Sequence, residues 1–197
     1  MTEALGSMSE PERLHVADYM PHVFWLFGLS GAGKSTLADR LTLTLRKRGV
    51  PVLRLDGDVL RAGLCSGLGF SEHDRTENLR RAAEAAKLGL ESELCVIASF
   101  ITPQERQREL IRRIVGNNQL SLIYVNASLE ACRRRDVKGL YHLAKGGLVI
   151  NMTGVSSTFD QPLHCALELN SESNSVEQCS DLLQAYAWKR LEGGTPQ

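Results

Sequence analysis

The chain has 197 residues, 43% of them hydrophobic, and its 23 basic and 23 acidic side chains balance to zero formal charge. This is enough chain for one domain with a full core, and the neutral balance offers no global field for nucleic acid or an anionic membrane. No stretch approaches the ~20 apolar residues of a spanning helix, no apolar signal core stands at the N-terminus, and Cys65, Cys95, Cys132, Cys165 and Cys179 form no C-x-x-C pair. Reduced thiols in a cytoplasmic protein are expected.

Residues 1–20 are polar and acidic and read as a flexible leader; 21–193 read as a single domain. Val23–Phe27 is an apolar run of buried-strand length, and Leu37, Leu41 and Leu45 then recur every four residues, as on one face of a helix. Between them lies Gly28-Leu29-Ser30-Gly31-Ala32-Gly33-Lys34-Ser35-Thr36, which fits the phosphate-binding loop G-x-x-x-x-G-K-[ST] in its required strand–turn–helix setting. Glycines let several backbone N–H groups turn toward phosphates, and the helix adds its positive end. Lys34 is placed to reach the β- and γ-phosphates and the Ser35 hydroxyl to ligate Mg²⁺.

Val52–Leu55 reads as a second strand running into Asp56-Gly57-Asp58. Two acids at a strand's carboxyl end, beside a P-loop, sit where open α/β sheets bind ligands. An acidic turn with a helix N-cap would look the same locally; position favours the ligand role. Ser71 to Asp74 open the next helix with a capping pattern. At 100° per residue, Leu79, Ala82, Ala83, Ala86 and Leu90 share its buried face. Arg75 and Asn78 fall at the border of that face, suited to an anionic ligand, although Arg75 could instead pair with a local carboxylate. Arg80 and Arg81 read as solvated. Leu94–Phe100 is a continuous apolar strand, Pro103 suits the first turn of the helix after it, and Leu120–Val125 is a further strand. Arg133-Arg134-Arg135-Asp136-Val137-Lys138-Gly139, followed by Lys145-Gly146-Gly147, has the look of a mobile lid over phosphates. A long loop over 151–165, a short strand at Ala166–Asn170 and an amphipathic helix with Val176, Cys179, Leu182, Leu183 and Tyr186 close the chain. Alternating strands and helices predict a five-stranded parallel α/β sheet with helices on both faces, a P-loop NTPase fold.

The P-loop alone indicates an NTPase. Together with LDGD (55–58) and Arg61, LGFSEHDRTENLRR (68–81), SFITP (99–103), RDVKGLY (135–141) and TG (153–154), the chain resembles the adenylylsulfate kinases over residues 23–170. The resemblance implies transfer of the γ-phosphate of MgATP to the 3′-hydroxyl of adenosine 5′-phosphosulfate by a homodimer. It assigns ATP to residues 28–36 and Arg135, and Mg²⁺ to Ser35 and Asp56. Asp58 would stand beside the attacking hydroxyl, with Lys34, Asp56 and Ser99 in the catalytic set. Ser99 matches a serine described in the family as a phosphoserine intermediate; direct in-line transfer needs none, so it is read as site-lining. Arg61, Phe70, Arg75, Asn78, Phe100, Ile101, Lys138 and Met152 would hold the sulfated nucleotide, Phe70 by stacking on its base. Val59, Ala62 and Met152 depart from the family pattern. They leave open a same-fold kinase for another nucleotide-linked anion, such as a cytidine derivative; a nucleotide-binding regulatory subunit without turnover is the third reading.

Overall fold

The computed structural model describes residues 19–136, 139–145, 153–154 and 157–192. Five strands, β1 (Val23–Phe27), β2 (Val52–Asp56), β3 (Cys95–Ser99), β4 (Leu120–Asn126) and β5 (Leu167–Asn170), pair in parallel in the order β2-β3-β1-β4-β5. The helices are α1 (Lys34–Lys47), α2 (Gly57–Ala62), α3 (Glu72–Glu91), α4 (Glu105–Val115), α5 (Leu129–Arg135), α6 (Leu140–Lys145) and α7 (Val176–Leu191).

Strand alternation sorts the core into two layers. All five β1 residues are buried. Phe24 and Leu26 join Leu37, Leu41 and Leu45 of α1 and Leu183 and Ala187 of α7 on one face. Val23, Trp25 and Phe27 join Leu79, Ala82, Ala83, Ala86 and Leu90 of α3 and Ile111 of α4 on the other. The periodicity of α1 and α3 therefore marked the faces that pack.

Local signals set the helix starts. Ser71, Ser128 and Ser175 each accept a backbone N–H of their helix's first turn. Pro103 lies just outside the helix it was expected to open: α4 starts at Glu105, and Gln104 and Gln107 form a reciprocal cap. Tyr19 and Met20, assigned to the leader, are tied down: the Met20 N–H donates to the Leu191 carbonyl at 2.9 Å, and the Tyr19 hydroxyl donates to the Glu93 carbonyl.

Parallel pairing brings the carboxyl ends of the strands to one edge. There the register sets Asp56 of β2 opposite Ser99 of β3, and Ser99 opposite Leu26 of β1. The P-loop leaves β1 at the same edge.

Candidate active site

The P-loop backbone needs glycine where its φ is positive, as at Gly28 and Gly33. Gly28 has φ +146°, and a Cβ there would stand 2.4 Å from the Val125 carbonyl oxygen of β4. Gly33, with φ +98° and ψ 8°, is the left-handed cap that starts α1. The loop is braced from outside: the Tyr141 hydroxyl donates to the Ser30 carbonyl at 2.9 Å, and Arg135 donates to the Gly31 carbonyl at 3.3 Å. Lys34 is largely buried, and its ammonium donates to the Leu29 carbonyl at 2.7 Å.

Asp56 is the polar hub of the edge. Its Oδ2 accepts from Ser35 Oγ at 3.0 Å, Ser99 Oγ at 2.6 Å and Arg54 Nη2 at 3.1 Å; its Oδ1 accepts the Asp58 N–H at 3.0 Å. Burial pushes the carboxyl up, but the hydrogen bonds from Ser99, Asp58 and Ser35 and the Arg54 charge outweigh it and hold the group below the usual carboxylate range. Ser35 and Asp56 offer hard oxygen donors at the N-terminus of α1. This suits Mg²⁺, which takes one or two protein oxygens and completes its shell with phosphate and water. Among the described residues no group of three or more His, Cys, Asp and Glu side chains is assembled to hold a metal.

One cavity of about 810 Å³ runs from the P-loop to the acceptor side. Asp58, Arg61, Phe70, Arg75, Asn78, Ser99, Phe100 and Ile101 line it, as do Lys34, Ser35, Asp56 and Arg135. These sequence-predicted residues border one space. Phe70 is 60% exposed, with the Arg61 guanidinium 4.5 Å from its ring centroid. Arg61 also donates to the Gly69 carbonyl at 2.9 Å. Arg75 donates to the Phe70 carbonyl at 3.0 Å and to Thr153 Oγ1 at 2.7 Å. Burial, and then the nearby Arg61 charge, push its pKa down, so two cations share this half-buried wall. Asn78 is deeper than its border position predicted, at 5% exposure, and its Oδ1 is buried without a hydrogen-bond partner among the described residues. Phe100 stacks on Trp25 with centroids 4.8 Å apart.

Lys138 and Met152 lie outside the described residues, as do Val137, Gly146 and Gly147 of the expected lid. Other residues in or behind the cavity wall were missed. Arg54 reads in sequence as an ordinary strand residue. Thr102 is buried at φ +43° and accepts from Trp25 Nε1 at 3.0 Å; no local sequence signal marks that backbone. Ser171, Glu172, Asn174 and Cys179 form a further wall near Arg135, which donates to Ser171. Asp136 accepts the Tyr141 and His142 N–H groups at 3.1 and 3.0 Å and so opens α6.

A family model for adenylylsulphate kinase matches residues 20–170. The chain belongs to the adenylylsulphate kinase family. Relatives named adenylyl-sulfate kinase are 41% identical over 177 residues in Vibrio vulnificus (90% of this chain, 86% of that protein) and 44% identical over 170 residues in Bacteroides thetaiotaomicron (86% and 85%). Among solved structures, the Mycobacterium tuberculosis APS kinase in complex with AMPPNP and APS is 35% identical. It covers 83% of this chain and 96% of that one, with a TM-score of 0.78. The adenylylsulphate kinase fold and the block LGFS-x-x-DR-x-EN at 68–78 therefore occur together in this chain.

Proposed function

We propose that this chain transfers the γ-phosphoryl group of MgATP to the 3′-hydroxyl of adenosine 5′-phosphosulfate, giving 3′-phosphoadenylylsulfate and ADP. The observation that carries this reading is the single cavity in which the P-loop and Lys34 share walls with Asp58, Arg61, Phe70, Arg75 and Asn78. The named relatives, and the solved kinase holding AMPPNP and APS, support the two substrates.

Phosphoryl transfer passes through a loose, anionic transition state, so the protein's part is to position the reactants and neutralise charge. Backbone N–H groups of residues 29–35 cradle the donor phosphates, and Lys34 follows the charge on the γ-phosphoryl. Ser35, with its proton committed to Asp56, has a lone pair for Mg²⁺. When bound, the ion neutralises phosphate charge and polarises the transferred group. Asp58, at the cavity wall, orients the acceptor hydroxyl and takes its proton.

The exposed Phe70 ring offers one face to the base, with Arg61 on it as a cationic backing. Arg75 makes charge-assisted bonds to the phosphosulfate, and the buried Asn78 Oδ1 accepts a substrate N–H or O–H that satisfies it. Ser99 Oγ already donates to Asp56 and accepts from Arg54. This supports a site-organising hydroxyl and direct in-line transfer.

The test is ATP consumption by the purified protein with adenosine 5′-phosphosulfate and with guanosine and cytidine analogues, the product identified by mass. A gain of one phosphoryl group on adenosine 5′-phosphosulfate, fastest of the panel, is expected. A faster reaction with a pyrimidine analogue, or ATP binding without turnover on any acceptor, would overturn the reading.

A further inference from the structure

Arg54 lies within β2, its side chain 16% exposed. Each guanidinium N–H meets an oxygen. Nε donates to Asp39 Oδ1 of α1 at 2.9 Å. Nη1 donates to the carbonyls of Leu55 and Ile97 at 2.6 and 3.5 Å. Nη2 donates to Asp56 Oδ2 at 3.1 Å and to Ser99 Oγ at 2.9 Å. The planar fork thus joins α1, β2 and β3 at the carboxylate that receives the Ser35 hydroxyl.

These bonds fix proton directions. Because Ser99 Oγ accepts from Arg54, its own O–H turns to Asp56 Oδ2, 2.6 Å away. Oδ2 then receives Ser35, Ser99 and Arg54 together, while Oδ1 is held by the Asp58 N–H. The carboxylate can neither rotate nor offer Oδ2 directly to a cation. Its remaining task on that side is to hold the Ser35 proton, which turns a Ser35 lone pair outward.

We propose that Arg54 is a positioning residue for the phosphoryl transfer: its fork locks Asp56 and Ser99 so that Ser35 Oγ is presented to Mg²⁺ already oriented. The inference rests on the reading of Ser35 and Asp56 as the cation site. It has a definite sign. A guanidinium acting only by its charge would repel Mg²⁺, so removing it would strengthen metal binding. A guanidinium that positions the donors does the opposite. Lysine keeps the charge but concentrates its donors at one point, and cannot span Asp39, Asp56 and Ser99 together.

The experiment is calorimetric titration of ADP with EDTA and with Mg²⁺, on the wild type, Arg54→Lys, Arg54→Met, Asp39→Ala and Ser35→Ala, alongside steady-state kinetics. Outer partners that orient metal ligands are worth about 10–100-fold in metal affinity or activity. The metal-dependent gain in ADP affinity is therefore expected to shrink by about that factor in both Arg54 variants, with kcat falling in parallel. Metal-free ADP affinity and the KM for adenosine 5′-phosphosulfate should stay within about twofold, a split that general structural damage would not give. Asp39→Ala, which frees only the outer end of the fork at an exposed carboxylate, should lose part of the gain; it carries the test if the Arg54 variants do not fold. A wild-type or larger metal-dependent gain in the Arg54 variants would overturn the proposal, as would equal loss of metal-free ADP binding. Ser35→Ala separates the two levels. If it also keeps the gain, the cation-site reading fails; if it loses the gain while Arg54→Lys keeps it, only the role of Arg54 fails.

Discussion

Arg75→Met tests the acceptor side most directly. Methionine retains much of the apolar stem and removes the fork. Among the described residues the guanidinium donates to the Phe70 carbonyl and Thr153 Oγ1, both uncharged acceptors, while burial and Arg61 disfavour its charge. Losing these two bonds alone costs about 1–3 kcal/mol, partly offset by relief from Arg61. At about 2–4 °C per kcal/mol for a chain of this size, that part of the loss should lower the melting temperature by less than about 12 °C. The bound phosphosulfate is different. A charge-assisted bond in a partly desolvated wall is worth about 1.5–3 kcal/mol, or about 10- to 150-fold in affinity. Calorimetry with adenosine 5′-phosphosulfate, in the presence of a non-hydrolysable ATP analogue, should show that loss while affinity for the analogue stays within about twofold. Adding Thr153→Val in a double-mutant cycle measures the coupling between the two side chains in the same units. Equal weakening of both ligands, or unchanged acceptor affinity, would refute the argument and leave Arg75 a structural tie between α3 and Thr153.

Three further outcomes are expected. Lys34→Met should lower kcat by about 100-fold or more, the scale for losing one aimed electrostatic donor, with the fold intact by circular dichroism; wild-type turnover would remove Lys34 from the chemistry. Gly28→Ala should cost roughly 2–6 kcal/mol, combining a strained φ with a Cβ driven into the Val125 carbonyl; a wild-type melting temperature and ATP affinity would contradict this. His22 is buried, bonded through Nε2 to Ser121 Oγ at 2.8 Å, and its pKa is lowered to about 4 by burial and then by Arg190. Between about pH 4 and 6.5 the unfolded chain takes up a proton that the folded chain refuses, so stability should fall as pH drops through that window, by roughly 3 kcal/mol in all. His22→Gln should flatten that slope in denaturant titrations, and an unchanged slope would exclude His22 as its source.

The strands, the P-loop and the α3 face were legible because each is written locally, in apolar runs, in glycines at fixed offsets and in 3.6-residue spacing. Asp56 and Asp58 were legible through their position after a strand beside a P-loop. Arg54 was not. It sits on the α1-facing side of β2 with Val52 and Asp56, and an arginine in a short strand reads as a solvent-facing residue. Its partners Asp39 of α1 and Ile97 and Ser99 of β3 lie on two elements outside its own strand. The wall formed by Ser171, Glu172 and Asn174 escaped for a related reason. The loop is held by Ser171 Oγ donating to the Ala32 carbonyl at 2.7 Å, a tie between segments far apart in sequence. Asn78 was placed at a border by helical angle alone, and the angle does not say how deeply α3 sinks into the sheet.

The contact between Gly28 and Val125 also bears on the order of events during synthesis. The phosphate-binding sequence emerges early, but the strand it rests against, β4, lies about a hundred residues downstream. At typical elongation rates the ribosome needs on the order of ten seconds to supply it. Until then β1 lacks one of its two neighbours in the sheet, and the turn that follows it lacks the β4 carbonyl against which Gly28 packs. ATP therefore cannot template the first third of the chain. Nucleotide capture marks completion of the central strands, so a stalled nascent chain ending before β4 should pass over an ATP resin unretained although the whole P-loop sequence is present.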